Sequence, residues 1–168
     1  SVLGCSFLGS YFFNAYKLNK STTSVSTKEL NLITYSKASN MESIINKAYV
    51  LSRGVSLARD LGNQPANLCT PTHLANTAIE IAKAKNMKAK IFDVKEFEKM
   101  KLGSFYGVAR GAKEPAKFIL VEYNGGKEKS APICLVGKGL TFDTGGISLK
   151  PSPKMDEMKF DMCGSATV

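Results

Sequence analysis

Beyond residue 63, short apolar runs alternate with stretches whose apolar residues recur at helical spacing, and this alternation restricts the fold more than any other feature. Thr70 can cap a helix with Pro71 at its first position, where a missing N–H costs nothing, and Leu74, Ala78, Ile81 and Ala82 then share one face toward Asn86. Met87–Phe92 is expected as a strand, Val94–Met100 as a short helix, and Lys117–Tyr123 as a second strand. Ile133–Val136 is apolar throughout, as in a strand buried on both faces. Strands alternating with helices imply an α/β fold with a mixed, largely parallel sheet flanked by helices.

Upstream, Ile44, Ile45, Ala48, Tyr49, Leu51, Val55 and Ala58 mark a long helix. It opens at Ser39 or Asn40 and runs to about Leu61, with Gly62 as its stop. Asn63-Gln64-Pro65-Ala66-Asn67 is a turn-rich break. Before the long helix, Phe7–Tyr16 carries a helical apolar stripe, Lys17–Glu29 reads as a Ser/Thr-rich linker, and Leu30–Tyr35 as a short β-type run. The opening Ser-Val-Leu-Gly-Cys lacks a starting Met and a preceding basic region, and reads as the interior of a longer protein rather than a signal peptide.

Several function classes fall away. No run approaches the 18 or so apolar residues of a membrane span. The formal charge of +9 is spread along the chain rather than gathered into a basic face, so nucleic acid is not an expected partner. Cys5, Cys69, Cys134 and Cys163 show no Cys-x-x-Cys spacing, which argues against a zinc finger and a thioredoxin-type site and favours a reducing, cytoplasmic setting. His73 is the only histidine and is expected as a first-turn surface residue, so a His-based triad is excluded and Cys163 lacks a partner as a nucleophile.

The chemistry concentrates where Ile133–Val136 runs into Gly137-Lys138-Gly139-Leu140-Thr141-Phe142-Asp143-Thr144-Gly145-Gly146. Ligands bind beyond the strand ends of open α/β sheets. Lys138 is followed by Gly, so the phosphate-binding P-loop pattern fails, and Phe142 breaks the dinucleotide fingerprint. The glycines would instead let Lys138, Asp143 and Lys150 converge in a dry crevice. Such charges need partners: a divalent cation held by Asp143 and Asp161 would supply them, and so would ordinary Lys–Asp ion pairs. Met155, Met158 and Met162 fall on one side of a short helix over Met155–Met162, with Met158 facing the same way as Asp161.

The stretch Val136 to Pro151, together with Met155-Asp156-Glu157-Met158-Lys159-Phe160-Asp161-Met162-Cys163-Gly164, closely resembles the leucyl aminopeptidase family of two-metal cytosol aminopeptidases. Asn63–Asn67 followed by Thr70-Pro71 is similar to that family's entry to its catalytic domain. The resemblance implies metal ligation by Lys138, Asp143 and Asp161, with Asp143 bridging two ions of zinc, manganese or magnesium. It implies Lys150 as the catalytic lysine and Met158 as a wall of the pocket for the substrate's first side chain, all five residues lying around the substrate. Lys138 would have to bind as a neutral amine. The implied activity is release of N-terminal, leucine-type residues from peptides by metal-activated water.

By the same resemblance, residues 1–36 correspond to the end of an α/β N-terminal domain, 37–62 to a linker helix, and 63–168 to the N-terminal part of the catalytic domain. The family's remaining Asp and Glu ligands, and an Arg that holds bicarbonate, belong to a later stretch, so this chain alone is expected to be inactive. Full-length members form homo-hexamers. The alternative is a non-catalytic member of the same fold that binds DNA or a protein partner.

Overall fold

The computed structural model describes residues 2–18, 29–33, 35, 40–126 and 131–168. Helix α1 spans Val2–Gly9 and α2 spans Met41–Asn63. The apolar stripe expected over Phe7–Tyr16 is thus helical only at its start, because Gly9 ends α1. Tyr11, freed from the helix, donates from its hydroxyl to Asp60 Oδ1 at 2.8 Å and accepts from Asn63 Nδ2 at 3.1 Å. Phe7 meets Tyr49 edge-on at 5.8 Å and Arg59 Nη1 donates to Leu8 O at 3.2 Å, so α1 lies against α2 through apolar and polar contacts. The described part of Leu30–Tyr35 forms no strand, and most of the expected linker lies outside the described residues.

Asn40 precedes α2, as its helix-favouring pattern predicts, but Gly62 does not end the helix. Gly62 is buried within the last turn, and a Cβ there would lie 2.8 Å from Cys163 Sγ. It is glycine because another segment packs onto it, a reason no local stop signal can reveal. Helix α3 spans Pro71–Ala84, with Thr70 Oγ1 accepting from the His73 backbone N–H at 3.2 Å. His73 is half-buried rather than fully on the surface.

Strand β1, Lys88–Phe92, pairs with β2, Phe118–Glu122. Between them lie α4, Val94–Phe97, and α5, Gly103–Ala109, the latter unforeseen from the sequence. The α/β class holds, but the sheet among the described residues is a single antiparallel pair, with Ile91 opposite Ile119, rather than a largely parallel one. The expected third strand, Ile133–Val136, forms no strand and has no ladder partner, and Ile133 and Val136 are 91% and 88% exposed. Its apolar character favours a strand, but a strand exists only with a neighbour to share its hydrogen bonds.

Strand β2 separates two packed groups, as alternating side-chain direction requires. Phe118 joins an aromatic group with Phe92, Phe105 and Phe97, while Ile119 packs on a core of Leu61, Cys69, Leu74 and Met162. That second core joins α2 and α3 to the chain's last elements, a 3-10 helix at Met155–Met162 and α6 at Cys163–Thr167. The three methionines do not share a face. With three residues per turn, Met155, Met158 and Asp161 align, and Met162 turns into the core with no exposed surface.

Candidate active site

The loop after Ile133–Val136 doubles back on itself. Gly145 and Gly146 adopt φ of 89° and 78°, left-handed values that cost a side-chain-bearing residue energy, and a Cβ on Gly145 would meet Ser148 O at 2.5 Å. The reversal is closed by Lys150 N donating to Thr144 O at 2.9 Å. Lys150 thereby returns to Asp143, seven residues earlier, with Nζ 2.7 Å from Oδ2. The other carboxylate oxygen, Oδ1, accepts from Gly145 N at 2.8 Å. This Asx-type turn is encoded in Asp-Thr-Gly-Gly itself.

Lys150 Nζ also donates to Met158 Sδ at 3.2 Å, which ties the loop to the 3-10 helix. From the same helix Asp161 reaches Lys138, with Oδ2 and Nζ 2.8 Å apart. The structure therefore brings all five residues singled out from sequence together, as a Lys138–Asp161 pair and an Asp143–Lys150–Met158 chain. The two are electrostatically linked, since Asp143 also acts on the Lys138 ammonium. Ser165, which sequence reasoning missed, holds the backbone here: its N–H donates to Lys138 O at 2.8 Å.

The crevice is not dry as expected. The Lys138 side chain is 59% exposed, because no element among the described residues covers the loop on the side of Ile133–Val136. In this setting the site's charges neutralise one another. Asp161 holds the Lys138 ammonium above its ordinary pKa, chiefly through the short contact between Oδ2 and Nζ. Lys150, and then the Gly145 N–H, hold the Asp143 carboxyl below the usual carboxylate value.

These shifts have opposite consequences with pH. Asp143 is depressed, so its stabilising contribution is present above its unfolded pKa of about 3.9 and is lost as pH falls through the lower folded value. Lys138 is raised, so its contribution is full below its unfolded pKa of about 10.4 and is lost as pH rises through the higher folded value. The Gly145 amide resonance is accordingly expected to stay fixed from pH 7 to about 5 and to move only below about 4. A midpoint above that would contradict the Asp143 contacts.

The donor set partly fits a divalent cation. Asp161 Oδ2 is buried and accepts no directed hydrogen bond, the Lys138 ammonium approaching within ion-pair distance but outside hydrogen-bonding geometry. A cation would satisfy that oxygen, and carboxylate oxygens are suitable hard donors. Among the described residues, however, no three His, Cys, Asp or Glu side chains gather at one point, so this segment supplies two carboxylates and an amine rather than a full coordination sphere.

Residues 56–168 match the catalytic domain of the cytosol aminopeptidase family, Peptidase M17. A probable cytosol aminopeptidase of Aromatoleum aromaticum is 45% identical over 163 residues, covering 95% of this chain and 33% of the relative. One from Burkholderia multivorans is 56% identical over 124 residues, covering 74% of this chain and 25% of its own length. The chain thus spans about a quarter to a third of these relatives. Among solved structures, the bottromycin maturation enzyme BotP in complex with Mn superposes with a TM-score of 0.78 at 29% identity, over 98% of this chain and 33% of that one.

Proposed function

The chain belongs to the cytosol aminopeptidase family, and from that premise we propose that it carries the first part of a two-metal aminopeptidase centre that releases leucine-type N-terminal residues from peptides. The observation that carries this reading is the convergence of Lys138, Asp143, Lys150, Met158 and Asp161 on one loop and one helix face. Family membership supports reading that convergence as a catalytic arrangement rather than two isolated ion pairs. The manganese of BotP supports a divalent ion of the same kind.

In this reading Lys138, Asp143 and Asp161 would hold the ions. Bound there, divalent ions supply Lewis acidity and lower the pKa of water toward neutrality. Lys138 must release its Nζ proton to become a donor, against the pull of Asp161 that holds the proton in the structure as it stands. The Lys150 ammonium would stabilise the negative charge that develops on the carbonyl oxygen of the substrate. Its ties to Asp143 Oδ2 and Met158 Sδ orient it before substrate arrives. Met158, in line with Asp161 on the 3-10 helix, would contact the apolar first side chain.

We place residues 63–168 in the front of the catalytic domain, with α2 as the linker helix after the end of an N-terminal domain. Further Asp and Glu ligands and a bicarbonate-holding Arg would come from the part of the relatives' length that this chain does not span, as would most of a homo-hexamer interface. The setting is cytoplasmic. No helix among the described residues is long and apolar enough to cross a membrane. Hydrolysis of a leucyl anilide by the 168-residue chain is therefore expected at background and unchanged by EDTA. Chelator-sensitive turnover by this chain would show that its three donors suffice and overturn the partial-site reading.

A further inference from the structure

Two glycines beside Lys138, Gly137 and Gly164, have no room for a side chain, and the obstacle at both is backbone rather than movable side chains. A Cβ on Gly164 would lie 2.9 Å from Lys138 N and 3.2 Å from Lys138 O. A Cβ on Gly137 would lie 2.5 Å from Gly164 O and 2.6 Å from Ser165 Cα. Gly139 faces the same seam more loosely, its Cβ falling 3.2 Å from the Ser165 hydroxyl. Across the seam Ser165 N donates to Lys138 O. Gly164 follows Asp161 by three residues, and the 3-10 helix passes directly into α6 between them.

We propose that Gly164 and Gly137 are positioning residues: by letting the two backbones touch, they set the separation of Lys138 from Asp161, and so the geometry of one metal position. The proposal rests on Lys138 and Asp161 as metal donors. Adding a methyl group at either glycine must push the Lys138 backbone away from α6, since neither contacting group can rotate aside. The Lys138 amine would then move relative to the Asp161 carboxylate, with no donor atom removed. Groups that only orient a metal ligand typically change affinity by about 10–100-fold.

The test is Mn²⁺ titration of the ¹⁵N-labelled 168-residue chain, reading paramagnetic broadening of individual amides, together with hydrogen exchange at Ser165 N–H. In the unsubstituted chain, amides of Lys138, Asp143 and Asp161 are expected to broaden first. Gly164→Ala and Gly137→Ala are each expected to need about 10-fold more Mn²⁺ for the same broadening at Lys138 and to lose protection at Ser165, while α3 amides stay protected. Gly107→Ala, whose methyl meets nothing within 4 Å, is the neutral control. If Gly164→Ala melts α6, Gly137→Ala, which lies outside that helix, carries the test, and no loss there overturns the proposal. Unchanged broadening and protection in both tight variants also overturns it. Absence of broadening in the unsubstituted chain counts instead against the metal reading, and exchange at Ser165 then decides the seam alone.

Discussion

Replacing Phe97 by alanine is expected to lower folding stability by about 3–5 kcal/mol, the usual cost of emptying an aromatic core position. Phe97 is 1% exposed, and its ring meets Phe105 edge-on at 5.1 Å and Tyr106 at 6.1 Å. Phe105 continues the contact to Phe118, and Phe118 to Phe92, both at 5.8 Å. Phe97 is thus the buried end of a row of rings that fastens α4 and α5 to both strands. Urea unfolding measures the loss. A change under about 1 kcal/mol with an unaltered denaturant slope would mean that the rings do not hold these elements together.

Removing the Lys150 ammonium as Lys150→Ala is expected to lower kcat by about 10²–10³-fold in any form of the protein that turns over peptide, with KM little changed. The effect should fall on kcat because the group acts on charge that is present only as the carbonyl is attacked. An increase in KM with kcat preserved would make Lys150 a substrate-binding residue instead. Lys150→Arg separates charge from placement: the guanidinium keeps the cation but does not reproduce a single donor held between Asp143 and Met158.

What the sequence made legible follows from how local each feature is. Helices α2 and α3 were readable because a cap, a proline and an apolar period lie within the segments themselves. Helix α5 was not, since Gly103-Ser-Phe-Tyr-Gly-Val-Ala has two poor helix formers and no capping side chain. Phe105 contacts Phe97 and Phe118 from other elements, and such packing overrides propensity. Ile133–Val136 shows the converse: composition favours a strand, but pairing depends on a partner that composition does not contain.

The site divides in the same way. Lys138, Asp143, Lys150 and Asp161 stood out by residue type and spacing, and the turn that returns Lys150 to Asp143 is encoded in the intervening glycines. Which lysine meets which carboxylate was not encoded locally. That assignment depends on the 3-10 helix reaching the loop from the far side, with Met162 anchored among Leu61, Cys69 and Leu74. The placement of Asp161 beside Lys138 is therefore a property of the core as much as of the loop.

The helix from Met155 to Met162 completes a turn every three residues rather than every 3.6, so each step swings the next side chain by about 120°. Met158 and Asp161 thus stand one above the other like successive marks on a ruler. In the proposed site Met158 would face the substrate's first side chain and Asp161 the metal, so a change at Met158 would alter which peptides are favoured without removing a metal donor. Lengthening or shortening the interval by a single residue would turn one mark to the far side and separate selectivity from chemistry.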